Sequence, residues 1–276
     1  MKVFTFSFVG LGLALFGRAH AATLVADYQV QDTYASSVGS IGPLTIVGAS
    51  NDVSFDDNQT VDGHVQTIVH LNTNGAAAAD GGAGLQAQTK GFLSADNYSV
   101  VMLADFNISS DLVATKIFDF KNLSSDDGLY INDTTGLLDF NGVATAIGGT
   151  PAVTGTYAQI VLTRDSSTDL VTVYENGTEA FQFTDSSGLA ILGDATSPSP
   201  NAFLTIFKDD AVGLGLPTVT DETSVGDLAR LRLYDGPLTS EEVANLDTVV
   251  PEPVSGALML LGSGLMMRRS RRRTDK

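Results

Sequence analysis

Two pairs of adjacent aspartates are the side chains of this 276-residue sequence best suited to chemistry. Asp126 and Asp127 precede the apolar run GLYI, and Asp209 and Asp210 follow the run FLTIFK. Carboxylates at the ends of strand-like runs suit Ca²⁺, which takes several oxygen ligands from side chains and backbone carbonyls. The pattern therefore predicts a calcium site formed by Asp209, Asp210, Asp126 and Asp127. Ordinary solvated acidic turns are the alternative.

The two histidines are weaker candidates for a functional site than the aspartate pairs. His64 and His70 stand six residues apart in HVQTIVHL, and the alternation of this run places both on one face of a strand. A metal pair is conceivable there, but the alternation favours histidines that face solvent. No Gly-x-Ser-x-Gly motif stands beside a predicted helix, so a serine-hydrolase triad is not expected.

The charge of the sequence limits its partners. The formal net charge is −17, and between residues 22 and 253 there are 31 acidic against seven basic side chains. Such a domain repels nucleic acid and anionic membranes, so no nucleic-acid partner is expected. The chain has no Cys, which excludes disulfides and cysteine-ligated metals, and it has no Trp to stack on a sugar.

Residues 1–21 have the organisation of a secretory signal peptide. Lys2 supplies a positive charge, Val3 to Phe16 form an apolar run, and Ala19 and Ala21 are the small residues of a cleavage site. We therefore expect signal peptidase to act here and the mature chain to begin at Ala22.

The other end carries three consecutive signals. Residues 248–253 form a linker with a VPEP motif, residues 254–267 are uncharged, and residues 268–276 contain five arginines. A helix over the uncharged run would be about 21 Å long, against a hydrocarbon core of about 30 Å. The run is thus predicted to be a transient transmembrane segment with a cytoplasmic basic tail. A permanent anchor is the alternative. The motif comprises Val250, Pro251, Glu252 and Pro253.

This tail resembles the PEP-CTERM sorting signal of Gram-negative bacteria. The resemblance covers about a tenth of the chain and implies processing by an exosortase, in bacteria that make exopolysaccharide. It implies a protein that is briefly anchored in the inner membrane and then delivered to the cell surface or the extracellular matrix. The arginine block is expected to be removed.

Between the terminal signals the sequence predicts an all-β domain. Tyr98–Phe106 is nearly continuous in apolar residues, as expected for a strand buried on both faces. Asn176-Gly177 between two β-like runs predicts a tight hairpin. Thr239 and Glu242 have the spacing of a capping box, which predicts one short helix near the end of the domain. Short strands separated by turns, with almost no helix, favour a two-sheet sandwich.

The other predicted strands share short length and apolar or alternating composition. They are Leu24–Val30, Leu44–Val47, Val53–Phe55, His64–Leu71, Lys116–Phe120, Gly128–Asn132, two short strands within Leu137–Ile147, Tyr157–Arg164, Leu170–Glu175, Thr178–Thr184, Phe203–Phe207 and Ala229–Tyr234.

The order of these runs resembles the concanavalin A-like, laminin-G-type (LamG) jelly-roll domains. The strongest similarity lies in VYENG and in the closing RLYDGPLTSEEVANL, and the match extends from Leu24 to Asp247. It implies a single jelly-roll domain over residues 22–247. A calcium ion at the rim of the sandwich is common in that family, which strengthens the expectation for Asp209 and Asp210.

The same fold also hosts glucanases that carry a Glu-x-Asp-x-x-Glu strand, and this sequence has no such motif. We therefore expect a non-catalytic module that binds exopolysaccharide or another surface glycan, or that mediates adhesion. Two alternatives remain open. One is a glycan hydrolase or lyase with an atypical aspartate-based site, and the other is a purely structural envelope protein.

Overall fold

The structure is a computed structural model and describes residues 22–48, 50–72, 82–108, 114–193, 202–209 and 224–247. Within these ranges the chain forms fifteen β-strands, one turn of 3-10 helix at Ser50–Asp52 and one α-helix. Neither helical segment of the described ranges is long and apolar enough to cross a membrane.

The strands are numbered in chain order. They are β1 (Thr23–Tyr28), β2 (Thr45–Val47), β3 (Val53–Val61), β4 (His64–Leu71), β5 (Gly84–Gln88), β6 (Tyr98–Phe106), β7 (Ala114–Asp119), β8 (Gly128–Asn132), β9 (Leu138–Phe140), β10 (Ile147–Gly148), β11 (Ala158–Asp165), β12 (Leu170–Glu175), β13 (Thr178–Thr184), β14 (Phe203–Ile206) and β15 (Gly226–Asp235), and the helix is α1 (Ser240–Ala244).

The strands form two antiparallel sheets that pack face to face. The first sheet has the order β13-β12-β11-β6-β15-β4-β3, with β1 also paired to β15. The second sheet has the order β10-β9-β8-β7-β14-β5-β2. Sheet neighbours such as β6 and β15 are far apart in sequence, as in a jelly roll. The predicted all-β jelly-roll sandwich with one short C-terminal helix is therefore confirmed.

The main core lies between the sheets and is rich in aromatic side chains. Phe120 and Phe140 stack with ring centroids 6.0 Å apart, and Phe106 and Phe207 stack at 5.0 Å. All four side chains are buried. Each such side chain contributes about 1.5–3 kcal/mol of hydrophobic stabilisation, so the contact between the sheets stabilises the sandwich.

Strand β6 lies at the centre of the first sheet and is covered on both faces. Val100 and Met102 belong to the core between the sheets, whereas Val101 and Leu103 belong to two smaller clusters on the outer face. The prediction that this strand is buried on both faces is confirmed. Helix α1 provides part of the outer cover, because Val243 packs there.

Strand β5 was not expected from its sequence, GLQAQ, which lacks β-branched and aromatic residues. It nevertheless pairs with both β14 and β2. A Cβ at Gly84 would lie 2.5 Å from the carbonyl oxygen of Ile206, so the glycine permits the close approach. Similarly, β3 extends to Val61, beyond the predicted Val53–Phe55, by way of a bulge after Asp56.

The local turn and cap signals form as predicted. Asn176 and Gly177 have φ values of 49° and 77°, which a two-residue hairpin turn of this hand requires, and they join β12 to β13. At α1 the Thr239 side chain accepts from the Glu242 amide, and the Glu242 carboxylate accepts from the Thr239 amide at 2.8 Å. These reciprocal bonds begin the helix at Ser240.

Candidate functional site

Two of the predicted calcium ligands converge on one tyrosine. The Tyr130 hydroxyl lies 2.7 Å from Asp126 Oδ1 and 3.2 Å from Asp209 Oδ1, although the two aspartates are far apart in sequence. Strand β8 supplies the tyrosine, the loop before β8 supplies Asp126, and the segment after β14 supplies Asp209. Asp127 points elsewhere and accepts from the Ser125 hydroxyl at 3.0 Å. Asp210 lies outside the described residues.

A buried lysine completes this group. Lys116 Nζ lies 3.2 Å from Asp209 Oδ1 and 3.8 Å from Asp119 Oδ2, and it donates to the Tyr130 hydroxyl. Its ammonium also lies 4.3 Å from the centre of the Tyr130 ring. We call Lys116, Asp119, Asp126, Tyr130 and Asp209 the rim cluster. A buried ammonium requires such partners, because its desolvation is otherwise unfavourable.

Glycine makes room for the lysine. A Cβ at Gly128, on the neighbouring strand β8, would lie 2.8 Å from Lys116 Cε. Sequence reasoning missed Lys116, since a single lysine in a strand usually faces solvent. The sequence signal that was available is KIFDF, where Lys116 and Asp119 stand three residues apart in a strongly apolar strand.

The rim cluster could hold a cation only by changing some of its present contacts. Asp209 Oδ1 is paired with the Lys116 ammonium, and Asp126 Oδ2 accepts from the Asn141 amide at 2.7 Å. Ca²⁺ needs six to eight oxygen ligands. Within the described parts of the chain, no group of three or more acidic or histidine side chains has an arrangement suited to a metal. The calcium site stays a prediction, with Asp126 and Asp209 as its described members.

A larger concave site lies on the outer face of the first sheet. It is a groove of about 550 Å³ between strands β11 and β12 on one side and the segment that leads into α1 on the other. We call it the outer-face groove. Its lining residues are Asn97, Thr163, Asp165, Ser167, Leu170, Thr172, Tyr174, Pro237, Leu238, Thr239 and Glu242.

Strand alternation explains why polar side chains reach this groove. Val171 and Val173 point into the core, so Thr172 and Tyr174 point outward. The Tyr174 ring is largely buried against the cluster around Val243 and so presents only part of itself to the groove. The floor thus combines a hydroxyl group with apolar surface.

Two carboxylates of the groove are held by local hydrogen bonds. Asp165 Oδ1 accepts from the Ser167 amide at 2.8 Å and from the Ser167 hydroxyl at 2.7 Å. Burial acts to raise the pKa of Asp165, but these hydrogen bonds and the charge of Arg164 outweigh it and lower the pKa. Glu242 accepts from the amide and hydroxyl of Thr239. The fixed carboxylates are suited to accept hydrogen bonds from a ligand.

The two histidines occupy different settings on the outer face of β4. His64 is exposed at the start of the strand. His70 Nδ1 lies 2.5 Å from Asp227 Oδ1, and both side chains are partly exposed. Asp105 stands beside Asp227 in the sheet, and its pKa is raised by burial and further by the charge of Asp227. The predicted orientation toward solvent holds fully for His64 and partly for His70.

The predicted processing sites lie outside the described residues. These are the signal-cleavage residues, the sorting motif and the uncharged segment 254–267. The first two sets comprise Ala19, Ala21, Val250, Pro251, Glu252 and Pro253.

Comparisons with known proteins identify the fold. No protein-family model and no curated protein matches this chain. Among solved structures, it is similar to domain 4 of AbnA, an extracellular GH43 arabinanase from Geobacillus stearothermophilus, which was solved with arabinotriose. The TM-score is 0.55 and the identity 21%, with 82% of this chain and 98% of that chain covered.

Two toxin structures are also similar. The binding domain of Paraclostridial Mosquitocidal Protein 1 and that of botulinum neurotoxin serotype D each match with a TM-score of 0.50 and 11% identity. The match covers 80% of this chain in both cases, and 51% and 50% of the respective toxin chains. This chain thus spans about half of those structures. At such low identity the comparisons establish the fold alone: the part of the chain that the structure describes shares the jelly-roll sandwich of these domains.

Proposed function

We propose that residues 22–247 form an exported, non-catalytic module that binds an extracellular polysaccharide. The outer-face groove is the observation that carries this proposal. Its volume is about 550 Å³, and it is open enough to admit part of a chain. Ligand sites of this kind combine apolar walls with a few fixed polar groups.

The chemistry of the groove suits sugars. Hydroxyl groups of a glycan can donate to the carboxylates of Asp165 and Glu242, which are already held in place by their own hydrogen bonds. Asn97 and Ser167 add amide and hydroxyl groups, while Leu238 provides an apolar surface for the carbon-bound hydrogens of a sugar ring. The likeness to an arabinanase domain solved with arabinotriose supports the same class of ligand.

The protonation state of Asp165 and the helix-capping role of Glu242 favour glycan binding over glycan hydrolysis. A glycosidase needs one carboxylic acid that keeps its proton near neutral pH, usually because its pKa is raised. Asp165 has a lowered pKa, owing chiefly to its bonds with Ser167, and is therefore ionised. Glu242 caps helix α1, so a role in proton transfer would compete with its bond to Thr239.

A binding screen beside an activity assay tests the proposal. The purified protein is applied to an oligosaccharide array that includes arabinotriose, and each binder is then assayed for new reducing ends. We expect at least one oligosaccharide to bind and none to be cleaved. Turnover would instead support a hydrolase of the same fold, and the failure of every glycan to bind would support a structural envelope protein.

A pair of matched variants locates the site. Ser167→Arg places a long side chain at the groove and removes a bond to Asp165, so it should weaken glycan binding by at least about tenfold, or about 1.4 kcal/mol. Thr145→Arg introduces the same charge at an exposed position outside the groove and should leave binding unchanged. Equal effects of the two variants would show that added charge, not blockage, is responsible.

Export and sorting are part of the same proposal. The apolar run of residues 254–267 is short for a permanent membrane span, which supports removal of the tail by an exosortase. We expect mass spectrometry of the native protein to find a mature N-terminus at Ala22 and no arginine block. An intact C-terminal Lys276 would contradict this.

A further inference from the structure

Glu175 is a carboxylate on the core-facing side of a strand. Along β12, Val171 and Val173 point into the core, and Glu175 follows on the same face. Its backbone pairs with that of Ile160, another core residue. Only 7% of the Glu175 residue is exposed. Nothing in the proposed glycan-binding function uses this group.

The side chain lines a small cavity at the end of the sandwich. The cavity has a volume of about 160 Å³, a floor of Phe106, Ile131 and Ile160, and a roof formed by the segment that includes Pro151 and Ala152. We call it the end cavity. The lining is mostly apolar, Thr150, Thr156, Tyr157 and Asn176 add polar atoms to it, and Glu175 supplies a carboxylate. The space is separate from the outer-face groove.

The Glu175 carboxylate has few partners for a buried group. Oε2 accepts from the Thr150 amide at 2.5 Å, and within the described residues the carboxylate takes no other hydrogen bond. Burial raises the pKa of Glu175, and the Thr150 amide opposes that shift without cancelling it. A buried carboxylate without a cation is unfavourable, so a positively charged partner would stabilise it.

We propose that the end cavity binds a small organic amine in its ammonium form. The ammonium pairs with Glu175, and the hydrocarbon body contacts Phe106, Ile131 and Ile160. Size supports this choice, because an apolar cavity of about 150 Å³ engineered in another protein holds benzene. The acidic surface of the domain attracts cations and repels anions, and a neutral apolar molecule would leave the carboxylate unpaired.

Benzylamine is a suitable probe, with benzyl alcohol as its uncharged counterpart. Binding to the purified protein is followed by amide chemical shifts at constant ionic strength. We expect saturable shifts around the end cavity and tighter binding of benzylamine than of benzyl alcohol. The preference should decrease as pH falls through the pKa of Glu175, because the protonated acid no longer attracts the ammonium.

Variants separate this site from general attraction to an acidic surface. Glu175→Gln keeps the shape and the bond to Thr150, and it should weaken benzylamine binding by at least about tenfold. Glu179→Gln removes the same charge from an exposed position on β13 and should leave binding within about twofold. Equal losses in both variants, or no loss in either, would overturn the proposal.

Filling the cavity provides a second test. Ala152→Met should occupy the space under the roof segment and abolish the binding of both benzylamine and benzyl alcohol. Circular dichroism is used to confirm that the variant is folded. If benzylamine binds this folded variant as tightly as it binds the unaltered protein, the ligand lies elsewhere and the proposal fails.

Discussion

Arg164 in the first sheet and Lys116 in the second are both buried cations, but their surroundings differ. Arg164 Nε lies 3.1 Å from Asp185 Oδ2, and Nη1 donates to the carbonyl oxygen of Asp96. The Asp185 carboxylate also accepts the amides of Leu189 and Ala190. Nη2 also pairs with Asp169 Oδ1 at 3.2 Å, and the Asp169 side chain is exposed. The network ties the chain after β13 to the sheet, and its central carboxylate, Asp185, has three donors.

The network of Lys116 reaches the surface as well. Its ammonium contacts Asp209 and Tyr130, and the Tyr130 hydroxyl bonds Asp126, which is partly exposed beside the exposed Asn141. A solvent ion can therefore reach one end of the rim cluster. The comparison shows that burial of a charge alone does not mark a functional site. The two networks differ in how the central carboxylate is held: Asp185 accepts two backbone amides besides its cation, whereas Asp209 contacts the side chains of Lys116 and Tyr130.

The largest predicted effect follows from removing the cation of the Arg164 network. Arg164→Met leaves the buried carboxylate of Asp185 without its cation, so we expect the free energy of unfolding to fall by about 3–5 kcal/mol. Urea denaturation measures the change. The double variant Arg164→Met/Asp185→Asn removes both charges and should recover part of the loss. No recovery would mean that packing of the arginine, not the ion pair, provides the stability.

A smaller loss of stability is expected for a substitution in the rim cluster. Lys116→Met should lower the free energy of unfolding by about 2–3 kcal/mol, because Asp209 loses its cation while Asp126 stays close to solvent. If the rim is a calcium site, millimolar Ca²⁺ should raise the melting temperature relative to EGTA, and more so in Lys116→Met. The absence of a shift in both proteins would exclude a specific calcium site there.

Glu175 extends the comparison to a buried charge that lacks a cation. Its pKa is raised in the folded state, so the folded protein holds the proton more firmly than the unfolded chain does. Its stabilising contribution is present below the ordinary pKa of glutamate and is lost as pH rises through the folded-state pKa. Unfolding measured against pH should therefore show the unaltered protein losing stability relative to Glu175→Gln across that window. Parallel curves would contradict this.

The smallest effect is expected outside these networks. Seven basic residues occur between residues 22 and 247, all within the described ranges, and Lys90 alone is exposed. Lys90→Gln should change the free energy of unfolding by no more than about 0.5 kcal/mol. Urea denaturation, as for the other variants, measures this change. A loss comparable to that of Lys116→Met would indicate that total charge, rather than burial, controls stability.

Local signals were sufficient to predict most of the fold. Asn176-Gly177 predicts its hairpin because both turn residues must adopt positive φ, and Thr239 with Glu242 predicts helix α1 because the two groups satisfy each other's backbone amides. Tyr98–Phe106 predicts a central strand because its apolar residues leave no face for water. These effects act within a few residues, and so they can be recognised without knowing the rest of the chain.

Which side chains lie together at each site depends on the tertiary structure. Strand β5 forms because Gly84 fits against β14, a contact between residues more than a hundred positions apart. The pairs Asp126-Asp127 and Asp209-Asp210 predict acidic loops, but the sequence does not reveal that Asp126 and Asp209 meet at the Tyr130 hydroxyl beside the buried Lys116. Nor does it reveal that Glu175 faces the end cavity. The energy of a buried charge depends on partners from distant strands, and only the pairing of the sheets brings those partners together.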